Sequence, residues 1–355
     1  MTSEINIEWD FILDNIQEDR TILCLGAELF SNTIGKLDVH LREAIGNSPD
    51  VRYYDDGLFN FKNSSDLFSH LKIKKFYNQD FPELAAILNK IAQIRFSTII
   101  SLNPDMQLNK AFDHQGFMYE YAFHHPKITA DELAKPTCDE PLIYNLLGNI
   151  DVRESMVLTH EDLFEFLESA VEGKSISNTL KGKVKSASNF IFIGMPFDKW
   201  HTQLLMRVLQ KDVNKKALRF AANHAKDERI EMLCQDEFNI ICVPTNIADF
   251  VNELYERCKT ANLLRGSTNE VNHHDKWLNM VKQDSLEEVL EQMLEYFENL
   301  QTPDEDTVNQ LINLSGRLTN LNKKIIKGTI SNDNASLERA QIRDVIIQFL
   351  KMGNE

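Results

Sequence analysis

The 355-residue sequence predicts an α/β fold: a Rossmann-like parallel sheet flanked by helices, followed by a C-terminal all-α helical bundle. Two observations support this fold class. Short apolar runs without polar alternation recur along most of the chain, which is typical of strands covered on both faces. Between these runs, and alone near the end of the chain, apolar residues are spaced by three and four, which is typical of amphipathic helices.

Five apolar runs are predicted to be the strands. Each run ends in Gly, Asn or Thr, residue types that favour turns after a strand. In chain order they are TILCLG (21–26), FSTIISLN (96–103), LIYNLLG (142–148), NFIFIG (189–194) and FNIICVPT (238–245).

Helices are predicted between the strands. One of them begins with a capping box, in which Thr159 is the cap and Asp162 is the third helical residue. The basic run KGKVKS (181–186) is interpreted as a solvated loop. The predicted helices are FPELAAILNKI (81–91), THEDLFEFLESAV (159–171), HTQLLMRVLQ (201–210) and ADFVNELYERC (248–258).

We predict three parts in the chain: a sheet domain at 1–262, a linker at 263–282 and a helical domain at 283–355. Periodicity lapses in the linker, which is rich in Gly, Ser, Thr and Asn. Its adjacent histidines, His273 and His274, are interpreted as part of a solvated loop and not as a metal site, because neighbouring residues do not share a face of a strand or helix.

The helical domain is predicted to contain roughly three helices. The first is SLEEVLEQMLEYFENL (285–300), and the second begins with Thr302 as cap, Pro303 in the first turn and Glu305 completing a capping box. The apolar stripes either close on each other or on the sheet domain, or leave one stripe exposed for a partner. The stripe of the second helix is Leu311, Leu314, Leu318, Leu321 and Ile325.

Composition excludes several classes of protein. The net charge of −16 argues against a protein whose main task is to bind nucleic acid, and we expect no direct contact with it. No apolar run approaches the ~20 residues of a membrane-spanning helix, and nothing resembles a signal peptide, so we expect a cytoplasmic protein. The five cysteines have no CxxC spacing, so we expect no metal.

The candidate site lies at the carboxyl ends of the predicted strands, where a parallel sheet binds its ligands. Residues that directly follow four of the apolar runs could converge on one crevice. They are Gly26, Ala27 and Glu28; Asn103, Pro104 and Asp105; Leu147, Gly148 and Asn149; and Gly194 to Asp198.

In this order, the four groups resemble the sirtuin-like domains of prokaryotic antiviral proteins, over roughly residues 10 to 260. In that family successive strands end in Gly-Ala-Gly, Thr-Asn-x-Asp, His-Gly and a turn similar to Gly-x-Ser-x-x-Asp. The resemblance implies an NAD site in which Asn103, near the nicotinamide ribose, and Asp105 would be the catalytic residues. The cofactor contacts that it implies are Gly26, Ala27, Glu28, Asn103, Leu147, Gly148, Gly194 and Asp198.

Two residues depart from the family pattern. Glu28 replaces the glycine at the third position of the first loop, and its carboxylate would repel a diphosphate. Leu147 stands where the family has the histidine that acts as general base, and loss of a positioned base typically costs about 100- to 10,000-fold in rate. Asp105, water or a histidine of this domain could replace the base. The histidines considered are His40, His114, His124, His125 and His160.

The resemblance leaves two functions open. In one, the sheet domain has a degenerate NAD site and acts mainly as a nucleotide-binding or protein-assembly module of an antiviral system. In the other, it is an active NAD+ hydrolase, with Asn103 positioning the ribose. A lysine deacylase is disfavoured, since it would lack the same base and the Cys quartet for a structural zinc.

The tail has a resemblance of its own. The segment 311–350 resembles the small helical effector-associated domains that recruit immune effectors by like-with-like contact. The residues that carry it are Arg317, the KGTIS turn at 327–331 and Arg343. It implies another immune protein as partner and a homo-oligomer.

Overall fold

The chain folds into two compact units, Met1–Ser267 and Thr268–Glu355. A computed structural model describes residues 7–62, 65–130, 132–172, 176–209, 216–222, 227–266, 277, 281, 286–298, 305–326, 329 and 332–352. The histidines at 273 and 274, the cap at 302 and the proline at 303 lie outside the described residues.

The first unit contains a seven-stranded parallel sheet in the order β5-β6-β4-β1-β7-β8-β9. The central strand β1 pairs with β4 on one side, where Ile22 lies opposite Thr98, and with β7 on the other, where Ile22 lies opposite Phe190. The fold class predicted from the sequence is confirmed. The strands are β1 Thr21–Leu25, β4 Thr98–Ser101, β5 Glu120–Phe123, β6 Leu142–Asn145, β7 Asn189–Ile193, β8 Leu218–Ala222 and β9 Ile241–Val243.

Helices cover both faces of the sheet, which explains why the central strands have no polar alternation. Leu23 and Leu25 pack into one hydrophobic core, whereas Ile22 and Cys24 pack into the other. Every residue of β1 is buried. The helices of this unit are α1 Trp9–Gln17, α2 Glu28–Ile34, α3 Leu37–Ile45, α4 Ser65–Tyr77, α5 Pro82–Gln93, α6 Gln107–His114, α7 His160–Glu172, α8 Asn178–Ser186, α9 Trp200–Leu209, α10 Glu228–Phe238 and α11 Ile247–Thr260.

Local signals in the sequence had mixed success. The capping box of α7 is confirmed, since the Asp162 amide donates to Thr159 Oγ1 at 3.1 Å and the Thr159 amide donates to Asp162 Oδ2 at 2.8 Å. The interpretation of KGKVKS as a loop is wrong, because these residues belong to α8. Lys183 of that run pairs with Asp19, with its Nζ 2.6 Å from Oδ2.

Between α3 and α4 the chain forms an antiparallel hairpin of β2 (Val51–Tyr53) and β3 (Phe59–Phe61). The Phe59 amide donates to the Leu158 carbonyl at 2.9 Å, which attaches the hairpin to the segment that leads into α7. This hairpin was not predicted from the sequence.

The last residues of the first unit are held by a buried arginine. Arg265 is 6% exposed, and its guanidinium donates to the carbonyls of Ala92, Phe96 and Cys138. Leu264 forms an antiparallel bridge with Ile94, so the end of the first unit adds a short extended contact beside α5. Burial lowers the pKa of Arg265 to about 10, and the guanidinium therefore stays charged at neutral pH.

The second unit contains the helices α12 (Leu286–Glu298), α13 (Glu305–Ile326) and α14 (Asn332–Met352). Their apolar stripes close on each other in a separate core, although Ile325 is exposed. Arg339 pairs with Glu287 at 3.2 Å and links α14 to α12. The core residues of the predicted stripes are Leu286, Val289, Leu290, Met293, Leu311, Leu314, Leu318 and Leu321.

Candidate functional site

A cavity of about 220 Å³ lies at the carboxyl ends of the central strands β1, β4, β6 and β7. From β1 the chain continues to β4 on one side and later to β7 on the other, so the cavity lies where a parallel sheet usually binds ligands. Some of the predicted site residues line the cavity, and others do not. Those that line it are Ala27, Glu28, Asn103, Pro104, Leu147, Pro196 and Asp198.

The predicted glycines pack loops against each other. A Cβ atom on Gly26 would lie 2.3 Å from the Gly194 carbonyl oxygen. Gly194 has a φ of +68°, and a Cβ there would lie 2.6 Å from the Leu29 amide nitrogen. Gly148 has a φ of +95° and has the same lack of space, 2.1 Å from the Ser155 carbonyl oxygen. These positions therefore require glycine for backbone packing, whatever the ligand.

Asn103 connects two of the loops. Its side-chain Nδ2 donates to the Gly26 carbonyl at 3.3 Å, and its backbone amide donates to Ser101 Oγ at 3.1 Å. Although it lines the cavity, Asn103 is only 5% exposed. Its amide group is thus held in a fixed position between the ends of β1 and β4.

Asp105 is not among the cavity residues. Its Oδ1 accepts a hydrogen bond from the Gln107 amide at 2.8 Å, at the first residue of α6. Burial raises the pKa of Asp105 to about 6, and the Gln107 amide partly opposes that shift. The Asp105 side chain therefore stabilises the turn that starts α6, which is the alternative role of a carboxylate that follows a strand.

Glu28 is a carboxyl group of the cavity whose pKa is raised. Burial, and then the neighbouring carboxylate of Asp198, raise the pKa of Glu28 to about 7, whereas Lys199 and Lys36 oppose the shift. The side chain is at the first residue of α2 and lines the cavity. A carboxyl group that titrates near neutrality can donate or accept a proton.

Leu147 contributes a hydrocarbon surface. Its side chain packs against the hydrophobic core that contains Ile22 and Cys24, and it lines the cavity. Only its backbone takes part in a described hydrogen bond, from the Val157 amide at 3.3 Å. The Leu147 side chain can neither exchange a proton nor form a hydrogen bond.

None of the five histidines considered as replacement bases lines the cavity. His160, for example, bonds to Asp56, and His124 bonds to Ser169 Oγ at 2.9 Å. His201 does line the cavity, and it was not predicted as a site residue because it falls inside the amphipathic pattern of α9. Burial lowers the pKa of His201, which favours the neutral imidazole at pH 7.

The turn of the β2–β3 hairpin closes one side of the cavity through Asp56, Gly57 and Leu58. Three consecutive residues hold this turn: Lys199 just before α9, and Trp200 and His201 at its start. Lys199 Nζ donates to the Asp55 carbonyl at 2.9 Å, Trp200 Nε1 donates to Asp56 Oδ2 at 2.9 Å, and His201 Nε2 lies 3.1 Å from the Asp56 carbonyl.

Asp56 is the centre of these contacts. Its Oδ2 also lies 2.9 Å from Nε2 of His160, whose ring stacks on the indole of Trp200 with an interplanar angle of 8°. Burial alone would raise the pKa of Asp56, but hydrogen bonds from Trp200, the Leu58 amide and His160 outweigh it and lower the pKa. One carboxylate therefore joins the hairpin to α7 and α9.

The charges of the cavity do not fit a dinucleotide diphosphate. The lining contains two ammonium groups, Lys36 and Lys199, and one of them is already bonded to the hairpin. The carboxyl groups outnumber them, and Glu28 occupies the helix start at which a phosphate would otherwise be stabilised. The carboxyl groups are those of Glu28, Asp38, Asp56 and Asp198.

Two further features are absent from the described residues. No group of three or more His, Cys, Asp or Glu side chains is placed to hold a metal ion in that part of the chain. Among the same residues, no helix is both long enough and apolar enough to cross a membrane.

Comparison with known proteins gives a family match within each unit. A solved structure described as "Structural Basis for the Mechanism and Regulation of Sir2 Enzymes" is 10% identical, covers 73% of this chain and 99% of its own, and has a TM-score of 0.39. No curated protein sequence matches the chain. Residues 97–241 match the family described as SIR2-like domain, and residues 272–352 match the family described as effector-associated domain 11. The chain therefore contains a SIR2-like domain followed by an effector-associated domain.

Proposed function

We propose that this chain is a component of a prokaryotic antiviral defence system whose SIR2-like domain has a degenerate NAD site. The domain acts mainly as a nucleotide-binding or protein-assembly module, and the effector-associated domain couples it to another immune protein in the cytoplasm. The pairing of these two domains supports a role in defence.

The observation that carries the proposal is the side chain of Leu147 on the cavity wall. At the position that the family resemblance assigns to the general base, a hydrocarbon faces the same cavity as Asn103. The excess of carboxyl groups supports the same conclusion, because NAD brings a diphosphate that these groups would repel.

An active NAD+ hydrolase is the second candidate, and one observation favours it. Glu28 lines the same cavity as Asn103, and its pKa of about 7 lies in the range that a general base needs. In that case Glu28, and not Asp105, would replace the missing histidine.

The test is loss of NAD over time with purified full-length protein, alone and with the proteins that neighbouring genes encode. We expect no loss, and no change with Asn103→Ala or Glu28→Gln. Asn78→Ala is the matched surface control, since Asn78 is exposed and outside the cavity. NAD loss that both cavity variants abolish and the control retains, with unchanged circular dichroism, would establish the hydrolase instead.

Direct binding separates a nucleotide-binding role from an assembly role. Calorimetric titration with NAD and with adenosine measures whether the cavity accepts the nucleoside and rejects the diphosphate. We expect weak or no binding of NAD, and tighter binding below pH 7, where Glu28 is protonated. NAD binding that is tight and independent of pH would contradict the electrostatic argument.

The coupling role is tested with the effector-associated domain in the intact chain. Arg317 is exposed on α13, and the family resemblance rests partly on this residue. We expect Arg317→Glu to weaken capture of the partner immune protein without changing NAD binding. Capture that does not respond to this change would place the contact elsewhere.

A further inference from the structure

Two of the five cysteines, Cys234 and Cys242, contact each other. Cys234 is in α10 and Cys242 is in β9, and a hydrogen bond joins their side chains. Both lie on the same face of the sheet, because Cys234 belongs to the core that contains Ile22 and Cys24, and Cys242 packs against that core. The two sulfur atoms are therefore already neighbours in the folded protein.

The turn between α10 and β9 keeps this pair together. Asn239 follows the helix with a left-handed φ of +51°, and the Ile240 amide donates to the Cys234 carbonyl at 2.9 Å. Cys242 is held from the other side, since it lies opposite Ala221 where β9 pairs with β8. The chain between the two cysteines is therefore short and closed by its own hydrogen bond.

The two thiols differ in their access to solvent. Cys234 is fully buried, whereas Cys242 is half-buried on β9, an edge strand of the described sheet. The hydrogen bond from Cys234 lowers the pKa of Cys242, although burial and Glu231 oppose this shift. Because the thiolate is the nucleophilic form of cysteine, Cys242 is the thiol that meets an oxidant first, and Cys234 lies behind it.

None of the other three cysteines interacts with a thiol in the described part of the chain. Cys24 and Cys258 are buried, and burial raises the pKa of each to about 12. Cys138 is half-buried like Cys242, but burial and then Asp19 raise its pKa. Cys138 therefore provides an internal control of similar exposure without a partner thiol.

We propose that Cys242 is a site of reversible oxidation by a peroxide, and that Cys234 converts the oxidised residue into a disulfide. In the first step the Cys242 thiolate attacks hydrogen peroxide. An S–O bond forms, the O–O bond breaks and hydroxide leaves, so the sulfur is oxidised to a sulfenic acid and the peroxide is reduced.

The second step joins the two sulfur atoms. The Cys234 sulfur attacks the Cys242 sulfur, the S–S bond forms, the S–O bond breaks, and the hydroxyl group leaves as water with the proton of the Cys234 thiol. The hydroxide from the first step takes up the proton that the Cys242 thiol released. Two thiols and one peroxide thus give one disulfide and two water molecules.

The disulfide would tie β9 to α10. The sulfur atoms must approach from hydrogen-bonding distance to the ~2.05 Å of an S–S bond, and β9 can move because β8 is its only partner in the described sheet. In a reducing compartment such bonds are transient and typical of redox sensing. Neither cysteine lines the cavity, so the proposal is independent of the function assigned to it.

Peptide mapping of the full-length protein tests the link. The chain has no Lys or Arg between residues 230 and 256, so trypsin leaves both cysteines in one peptide, and cleavage after Asp236 or Glu237 separates them unless they are linked. After reduction, removal of the reductant and exposure to hydrogen peroxide, we expect the Cys234–Cys242 link as the main disulfide, and its loss on treatment with dithiothreitol.

Three outcomes of this mapping would overturn the proposal. One is a Cys234–Cys242 link that is no more frequent than links that include Cys138. Another is Cys242 that reaches the sulfinic acid without a link, and the third is Cys242 that stays a thiol while Cys138 is oxidised. The mapping uses the wild-type protein, so its result does not depend on how a variant folds.

Single substitutions separate the roles of the two thiols. In Cys234→Ser the sulfenic acid on Cys242 has no thiol to resolve it, whereas the serine hydroxyl can still donate a hydrogen bond. Labelling of Cys242 by dimedone is therefore expected to increase about tenfold over wild type, while Cys138→Ser, the matched control, changes neither the labelling nor the link. Equal labelling of Cys242 in wild type and Cys234→Ser, with unchanged circular dichroism, would show that Cys234 does not resolve it.

Amide exchange measures the structural consequence. The Ile240 amide lies between the two cysteines and is bonded to the Cys234 carbonyl. We expect oxidation to slow exchange in residues 239–243 about tenfold, and dithiothreitol to restore the original rate. Unchanged exchange in protein that carries the mapped disulfide would refute the proposed effect on β9.

Discussion

Replacement of Glu28 by Gln is expected to stabilise the SIR2-like unit, and to do so only above acidic pH. Burial and Asp198 raise the pKa of Glu28 from its ordinary value of 4.5 to about 7. Between these values the folded protein holds a proton that the unfolded chain releases, so the free energy of unfolding decreases as pH rises through this window. Above it, the whole cost of the buried carboxylate is present.

The magnitude follows from the size of the shift. The two pKa values, 4.5 and about 7, differ by about 2.5. At about 1.4 kcal/mol for each unit of pKa, the charged carboxylate lowers the free energy of unfolding by about 3 kcal/mol at pH 8. Glutamine has a similar volume and no charge, so Glu28→Gln is expected to recover most of this amount.

Urea unfolding at pH 5, 6, 7 and 8 measures the effect. Trp9 and Trp200 report on the SIR2-like unit in a Trp277→Phe background, because the third tryptophan belongs to the second unit. We expect a gain that is small at pH 5 and approaches about 3 kcal/mol at pH 8, while Glu256→Gln, an exposed control on α11, changes little. A gain that is equal at pH 5 and pH 8 would refute the assigned pKa.

Three further predictions concern packing, the hairpin and the thiols. Gly194→Ala is expected to cost about 3 kcal/mol or more, since the residue has a positive φ and no space for Cβ; its control Gly182→Ala, in the open interior of α8, is expected to stabilise by about 0.5–1 kcal/mol, both by urea unfolding. If both substitutions changed the free energy of unfolding in the same direction, the packing argument for Gly194 would be contradicted. Asp56→Asn removes the charge from two hydrogen bonds and is expected to accelerate amide exchange in residues 54–58 about tenfold without global unfolding; unchanged exchange would mean that other contacts hold the turn. Cys242 is expected to react with Ellman's reagent before Cys258, because a hydrogen bond from Cys234 lowers the pKa of Cys242, whereas burial raises that of Cys258 to about 12; mass mapping that finds the reverse order would refute it.

The sheet could be predicted where its strands are buried on both faces. The runs that contain β1, β4, β6 and β7 have continuous apolar sequences, because helices cover the central strands. Strand β9 was predicted from its apolar residues although it is an edge strand and Ile241 is exposed. The edge strand β5 was missed, since it is half-buried and contains Glu120. The strand β8 was missed because Arg219 interrupts a short run with two alanines, and its guanidinium is hidden in a hydrogen bond to the Phe238 carbonyl.

The candidate site could be predicted only in part. Convergence of the loops after β1, β4, β6 and β7 follows from parallel topology, so Asn103 and Leu147 could be assigned to one crevice before the structure was known. Asp105 could not be excluded, because the choice between a ligand contact and a helix-starting turn depends on side-chain direction. His201 and the hairpin turn were missed, since their position depends on contacts between residues more than 100 positions apart.

Arg265 determines where mechanical load enters the SIR2-like unit. Its three hydrogen bonds to backbone carbonyls connect residue 265 to Ala92 in α5, to Phe96 just before β4 and to Cys138 before β6. Strand β4 is one strand from the centre of the sheet. A pull on the chain after residue 267 therefore acts first on this buried fastening and not on the end of α11. Tension on residue 265 is therefore expected to act at the start of β4, the strand that precedes Asn103.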